Sequence, residues 1–272
     1  MSEYGCRRFV GKSVVITGAA QGIGLAAALR LGDEGARVVI ADKAAGPARD
    51  AVQALGDRGV EARAAIADLA TLAGAQKAMD EAMSAFGGID VLVNNVGGTI
   101  WKKPFWHYTE EEICLEVERS FWPPLWCCRA AIPYMRNTGG AIVNVGSNAV
   151  DGIYRIPYSA SKGGVAALTT ALAVELADFN IRVNCVAPGS TTVEDRKTER
   201  TPRPLTAQEQ EWNRQFYKYV STEGLLEGTA TVEEQAAVIA FLASSDAALI
   251  TGEIIDTGKR GRRISEVIGH IV

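Results

Sequence analysis

The stretch Lys12-Ser-Val-Val-Ile-Thr-Gly18-Ala-Ala-Gln-Gly22-Ile-Gly24-Leu-Ala-Ala-Ala-Leu-Arg-Leu31 changes character halfway along. Its first part is a short β-branched run ending in glycine. Its second part carries apolar and small residues at helical spacing, so the whole reads as strand, tight turn and helix. Glycines at 18, 22 and 24 let the backbone approach a pyrophosphate closely, and the N-terminus of the helix offers N–H donors and a partial positive charge. The spacing G-x-x-x-G-x-G differs from the G-x-G-x-x-G fingerprint of dinucleotide sites. Taken alone, the turn also admits a packing role.

The same rhythm continues downstream. Ala36-Arg-Val-Val-Ile-Ala-Asp42 is a second buried-strand pattern. It ends in a carboxylate about 20 residues past the glycines, where an acid accepts both hydroxyls of an adenosine ribose. Asp42 repels a 2′-phosphate, Lys43 offsets part of that repulsion, and Gln21 stands in the turn where a basic residue would serve a phosphate. The cofactor expected is therefore NAD rather than NADP, although an acid that merely caps a turn is the alternative. Residues 47–57 read as a helix, Ala62-Arg-Ala-Ala-Ile-Ala-Asp68 as a weak strand, and 71–86 as another helix. Then Ile89-Asp-Val-Leu-Val-Asn94-Asn95-Val96-Gly97-Gly98 is an apolar strand breaking into amides and glycines. The amides can satisfy strand-end backbone groups while the glycines leave room for a flat ring. Ala141-Ile-Val-Asn-Val-Gly-Ser147 and Ile181-Arg-Val-Asn-Cys-Val-Ala-Pro188-Gly189 are further strands. Strands alternating with helices imply parallel pairing and right-handed crossovers, hence an α/β, Rossmann-type doubly wound sheet flanked by helices, with ligands at the strands' carboxyl ends.

Bulk properties set limits. A chain of 272 residues, 47% hydrophobic and 22% charged, with no linker-like composition shift, is expected to form a single dinucleotide-binding domain over 1–272. A formal charge of −4 argues against nucleic acid as a partner and leaves a small-molecule substrate, anionic ones included. No apolar run approaches the ~18 residues of a membrane span and the N-terminus lacks an apolar signal core, so a cytoplasmic protein with no membrane partner is expected. Cys6, Cys114, Cys127, Cys128 and Cys185 form no C-x-x-C pair and only His107 and His270 accompany them, so the expected metal set is none and the thiols read as reduced and mostly buried.

In Arg155-Ile-Pro-Tyr158-Ser-Ala-Ser-Lys162 the helical pattern after Pro157 places Tyr158 and Lys162 four apart on one face. An ammonium beside a phenol favours the phenolate and makes the tyrosine usable as a base. An isolated Y-x-x-x-K is as well explained by a snorkelling Tyr and a solvated Lys. The other motifs reverse that balance.

Taken in order, Thr17-Gly-Ala-Ala-Gln-Gly-Ile-Gly24, Asn94-Asn-Val-Gly97, Ser147, Tyr158-x-x-x-Lys162 and Pro188-Gly189 resemble the short-chain dehydrogenase/reductase family over roughly residues 8–258. The resemblance implies a pyrophosphate site at Gly18, Gln21, Gly22, Ile23 and Gly24, with Asp42 on the adenosine ribose and Asp68 and Leu69 on the adenine. Asn95, Val96 and Gly97 would lie beside these, and Pro188, Gly189 and Thr191 would complete the cofactor set. It implies Tyr158 as acid/base, Lys162 as its electrostatic partner and ribose anchor, and Ser147 as donor to the substrate oxygen. Three departures stand out. Ser120 occupies the position of the family's helix Asn and is expected either to substitute in its proton relay or to mark a rearranged relay. The loop from Ser147 to Tyr158 is short, and Thr251-Gly-Glu-Ile-Ile-Asp-Thr-Gly258 followed by the basic Lys259–Arg263 replaces the usual C-terminal pattern.

Within the family, Asn94 through Trp101, Pro104-Phe105, Leu125-Trp-Cys-Cys128 and Arg155-Ile-Pro-Tyr158 resemble bacterial dehydrogenases of cis-dihydrodiols of aromatic carboxylates, of the benzoate type, which yield a catechol, CO2 and NADH. Dehydrogenases of cumate- or terephthalate-type diols, a general carbonyl reductase, and a non-catalytic NAD-binding sensor remain open. For an anionic substrate Arg155 is the candidate carboxylate ligand, through its bidentate fork, with a surface arginine on a loop as the alternative. Lys102 and Lys103 are weaker candidates for the same role and read as solvated charges, and His107 reads as a packing residue. The segment Val193 to Gly228, charged and then aromatic with Trp212, Phe216, Tyr217 and Tyr219, suits a substrate lid or a subunit contact. Trp122 and Trp126 read as helix packing, in a region through which the family usually forms tetramers.

Overall fold

Val14, Val15 and Ile16 are all fully buried, as expected of a parallel strand covered by helices on both faces. They belong to β1 (Ser13–Thr17), followed in the chain by β2 (Arg37–Asp42), β3 (Ala62–Ile66), β4 (Val91–Asn94), β5 (Gly140–Val145), β6 (Ile181–Ala187) and β7 (Ile254–Asp256). The computed structural model describes residues 6–194, 196–221 and 228–258. The basic tail from Lys259 lies outside the described residues, as does part of the 193–228 segment. The strands form one seven-stranded sheet in the order β3-β2-β1-β4-β5-β6-β7, every neighbouring pair parallel. Strand order reverses between β1 and β4. That is the switch point at which open α/β sheets hold ligands, beyond the carboxyl ends of the strands.

Alternation along β1 divides the core. Val14 and Ile16 pack with α1 (Gly22–Asp33), α2 (Ala45–Gly56) and α8 (Val232–Ala243), through residues such as Leu31, Leu55 and Ile239. Val15 faces the other layer, α3 (Leu72–Phe86) and α5 (Trp122–Met135), through Met79, Cys127 and Met135. Glu34, at the end of α1, is fully buried. Burial raises its carboxyl, but hydrogen bonds from Arg8 and Arg30, each as short as 2.6 Å, outweigh this and hold it below the usual range. The pair of arginines thus fixes the chain entering the sheet.

The sequence reading assigns no element to α4 (Glu110–Ser120), whose start is nevertheless well specified. Thr109 and Glu112 form a capping box, and Glu110, Glu111 and Glu112 complement the helix dipole. The same device, Thr206 with Glu209, opens α7 (Ala207–Val220). Finally α6 (Ile156–Glu175) carries Tyr158 and Lys162 as expected, its first turn set by Pro157. Among the described residues no helix is long and apolar enough to cross a membrane, and no group of three or more His, Cys, Asp or Glu is placed to hold a metal.

Candidate active site

The loops that follow β1, β2, β4, β5 and β6 line one cavity of about 1320 Å³ at the carboxyl edge of the sheet. Pockets for single drug-sized ligands run to about 300–1,000 Å³, so this one has room for a dinucleotide and a second molecule.

At one end lie Gly18, Gln21, Gly22 and Ile23. Gly18 and Gly22 both have φ +60, which only glycine adopts freely. The N-cap of α1, Gln21, makes no side-chain cap and the first turn holds no acid, so the helix N–H groups are left for an anion. Gly24 does not line the cavity. A Cβ there would stand 2.5 Å from both the Gly18 carbonyl and the Asn95 amide, so this glycine serves the packing beneath the turn and not the ligand surface. Asn95 behaves as a strand-end amide should: its backbone N–H donates to Thr17 Oγ1 at 2.9 Å, and its Nδ2 donates to the carbonyls of Thr17 and Gly18 at 3.1 and 3.0 Å. It therefore ties β1 to β4 across the switch point.

Asp42 and Asp68 both line the cavity, with Lys43 and Leu69 beside them. Asp42 is held from both sides, Oδ1 accepting from Ala44 N at 3.0 Å and Oδ2 from Ala20 N at 3.3 Å. Each oxygen keeps lone-pair capacity for a hydroxyl. Val96, Gly97, Pro188, Gly189 and Thr191 are also in the wall. The orphan N–H donors, the held carboxylate and the glycine surface fit a nicotinamide dinucleotide.

At the other end Tyr158, Lys162 and Ser147 come together. Lys162 is 3% exposed, its Nζ donates to the Val145 carbonyl at 2.7 Å, and it lies 5.9 Å from the Tyr158 ring centroid. A Cβ on Gly97 would approach that ammonium to 2.9 Å, so a glycine is required there. Ser147 caps the short turn Asn148–Asp151: its Oγ accepts from Ala149 N at 3.1 Å and donates to the Pro188 carbonyl at 3.4 Å. The loop from Ser147 to Tyr158 closes with Tyr154 at φ +58, a left-handed conformation that is strained for an aromatic residue. Hydrogen bonds onto its carbonyl, from Lys103 N at 2.7 Å and Tyr108 OH at 3.2 Å, hold it.

Ser120 is not brought to the cavity. It is fully buried behind it, with Oγ accepting from Gly98 N at 3.4 Å, because the last turn of α4 points its side chain at the glycine strand. Arg155 does line the cavity, its guanidinium 5.8 Å from the Tyr158 ring and 4.8 Å from the Phe216 ring. The expectation that Lys102 and Lys103 are solvated is overturned. Lys103 is 4% exposed and bridges Glu112 at 2.6 Å and Glu209 at 3.6 Å. Lys102 lies over the Phe216 and Tyr217 rings, and burial lowers its ammonium. Trp212 of α7 packs on His107, ring centroids 4.7 Å apart, and α7 closes one side of the cavity with Phe216 and Tyr217.

Sequence reasoning missed Arg119, Arg196 and Arg200, which join Lys102 and Arg155 in the wall. A charged run such as Glu194 to Arg200 reads as solvent-facing, and its position just past Pro188-Gly189 is the one signal that could have drawn attention to it. Gln21 takes a role no motif announces: its Oε1 accepts from Lys197 N at 2.7 Å and its Nε2 donates to Thr198 Oγ1 at 2.5 Å.

This constellation, a parallel sheet with a glycine turn at its switch point and a Ser-Tyr-Lys set at the opposite end of the cavity, defines a nicotinamide-dependent dehydrogenase. The chain belongs to the short chain dehydrogenase family, which matches residues 12–204. Among its relatives it is 47% identical, over 93% of this chain and 97% of the other, to the 1,6-dihydroxycyclohexa-2,4-diene-1-carboxylate dehydrogenase of Acinetobacter baylyi. A Pseudomonas putida enzyme of the same description is 45% identical, over 90% of this chain and 91% of the other. A 2,3-dihydroxy-2,3-dihydro-p-cumate dehydrogenase of Pseudomonas putida is more distant at 34%, over 90% and 92%. Among solved structures, an NAD+-bound xylitol dehydrogenase superposes with a TM-score of 0.81 at 26% identity, covering 92% of this chain and 98% of the other.

Proposed function

We propose that this enzyme oxidises a cis-dihydrodiol of an aromatic carboxylate, of the benzoate type, to a catechol with loss of CO2, using NAD+. One juxtaposition carries the proposal: a lysine-backed tyrosine opens into a cavity also lined by Lys102, Arg119, Arg155, Arg196 and Arg200. The relatives that act on a carboxylated diol support it.

Gly18, Gln21, Gly22, Ile23 and the N–H groups of α1 would hold the dinucleotide's pyrophosphate, with Asp42 on its adenosine ribose. Asp68 and Leu69 would flank its adenine, and Asn95, Val96, Gly97, Pro188, Gly189, Thr191 and Lys162 its remaining length. Gly24 and Ser120 act from behind, as positioning residues. When bound, the nicotinamide supplies the hydride acceptor. Tyr158 takes the proton of the secondary hydroxyl, and the Lys162 ammonium, pinned by the Val145 carbonyl, stabilises the phenolate. Ser147 turns its hydroxyl from the Pro188 carbonyl to the substrate oxygen as charge develops there. The resulting ketone stands β to the carboxylate, so CO2 departs with the carbonyl as electron sink and the ring becomes aromatic. That step needs no further residue. Asp42, facing the position of a 2′-phosphate, favours NAD+ over NADP+.

The test is near-ultraviolet absorbance on mixing protein with NAD+ and the cis-dihydrodiol of benzoate, with NADP+ in parallel. NADH together with catechol is expected. No turnover of this diol, with turnover of a cumate-type diol, would reassign the substrate. Arg155, beside the base, is proposed to contact the substrate carboxylate. In Arg155→Ala the apparent affinity for the carboxylated diol is expected to fall roughly tenfold or more, and an unchanged KM would reduce Arg155 to a packing role.

The same proposal takes residues 1–272 as one domain of a cytoplasmic homotetramer, with α7 and its flanks over 193–228 as the substrate lid. Hydrogen bonds from Arg203 hold the Glu209 carboxyl down to about 2, from an ordinary 4.5. The start of α7 therefore draws its order from ionised Glu209 above about pH 4.5 and loses that contribution as pH falls toward 2. Limited proteolysis of the 193–228 segment by an acid-active protease should increase across that window. In Glu209→Gln the segment should be cut readily at every pH, and equal protection in both proteins would refute the link.

A further inference from the structure

The cavity that Tyr158 lines contains more positive charge than a diol needs. Lys102, Arg119, Arg155, Arg196 and Arg200 all line the cavity, against Glu118 and Glu199 as the acids of that region. Among the described residues the ion pairs formed by arginines and lysines of α4, α7 and their loops involve Lys103, Lys197, Arg203 and Arg214, and not Lys102, Arg119, Arg196 or Arg200. Burial lowers the Arg119 and Arg196 guanidiniums, and their mutual proximity to Arg200 lowers both further. Glu116 offsets part of the charge at Arg119, but like charges drawn out of water beside one another are costly, and an entering anion relieves both desolvation and repulsion.

The placement is specific. The Arg200 guanidinium carbon would lie 3.3 Å from a Cβ on Gly98, as the Lys162 ammonium would lie 2.9 Å from one on Gly97. Consecutive Cα atoms are ~3.8 Å apart, so the Arg200 fork and the catalytic ammonium press on neighbouring links of one strand end. Glycines at φ +148 and +140 leave the space for both. Arg119 secures the arrangement from α4, its Nη1 donating to the Arg200 carbonyl at 2.6 Å. Lys102, Arg196, Arg200 and Tyr217 also line an adjoining cavity of about 430 Å³, so these cations form the partition between the two spaces.

We propose that Arg200, with Arg196 and Lys102, forms the subsite for the carboxylate of the diol, and that Arg119 is the residue that positions it. The assignment rests on the proposed oxidation of a carboxylated diol and extends it: the lid segment carries the anion-selecting group, so selection for a carboxylate on the ring is made by residues 196–200 as well as at Arg155. A guanidinium fork matches a carboxylate in two parallel hydrogen bonds, which an ammonium cannot reproduce.

The experiment is calorimetric titration of benzoate into the full-length protein with NAD+ present, for the wild type and for Arg200→Gln, Arg196→Gln and Arg200→Lys, each checked for an unchanged thermal midpoint. Steady-state selectivity between the carboxylated diol and the uncharged cis-diol of benzene is measured on the same proteins. Benzoate affinity and selectivity should both fall roughly 30-fold or more in Arg200→Gln, with partial recovery in Arg200→Lys. Benzoate binding that is lost in Arg200→Gln, from a wild type that oxidises neither diol, would uphold the subsite and overturn the proposed reaction. Equal benzoate affinity in wild type and both Gln variants, or no benzoate binding to the wild type, would overturn the subsite.

Discussion

Tyr158→Phe is expected to lower kcat by about 10²–10⁴-fold, the usual contribution of a positioned acid/base group, while dinucleotide affinity stays within a few-fold of wild type. The phenol oxygen is the only atom removed, and the ring keeps its place over Lys162 and beneath Arg155. Because the lost contact is made to the reacting hydroxyl, kcat and kcat/KM should fall together. Lys162→Met should reduce turnover too, but with weakened cofactor binding, since its ammonium bridges the Val145 carbonyl, the tyrosine ring and the Gly97 surface. Stopped-flow NADH formation with a parallel cofactor titration separates the two. A Tyr158→Phe protein retaining more than a tenth of wild-type kcat would assign the proton transfer to another group.

The second large effect is expected from a residue that does not line the cavity. Lys103→Met should undock α7, because Lys103 is the buried cation between Glu112 at the start of α4 and Glu209 at the start of α7. Arg203 alone would then face two carboxylates, and removing one partner of a buried ion pair costs about 3–5 kcal/mol. With Phe216 released from Arg155 and Lys102, the diol KM should rise by about 10²-fold or more, whereas Asp42, held by Ala44 N and Ala20 N, keeps its geometry. Proteolysis within 193–228 and diol KM report the two parts of this outcome. If both match wild type, α7 is held by its aromatic contacts and the ionic network is incidental.

Much of this was legible in the chain because strands and turns there obey local rules. β-branched runs, glycines where φ is positive, and acids or amides at strand ends placed the sheet, the Ser147, Tyr158 and Lys162 set and the cofactor surface. Three features were not. Gly24 looks like a ligand glycine in the motif, but what it contacts, Asn95, is 71 residues away. Ser120 aligns with a relay residue, yet the direction of its side chain depends on how α4 ends against Gly98. The pair Lys102-Lys103 and the Glu194–Arg200 run read as solvated because charge runs usually are; yet Lys103 is buried in ion pairs with Glu112 of α4 and Glu209 of α7, and Arg196 and Arg200 line the cavity. Long-range pairing of charged groups leaves no periodic trace in a sequence.

The Gln21 amide has a consequence for the order of events. It belongs to the turn proposed to grip the pyrophosphate, and it holds Lys197 and Thr198 of the segment bearing the arginines proposed to select the anion. A contact of this kind would link the two proposed sites thermodynamically. Whatever factor the dinucleotide applies to diol affinity, the diol must return to dinucleotide affinity, since a coupling free energy belongs to the pair of ligands and not to either one.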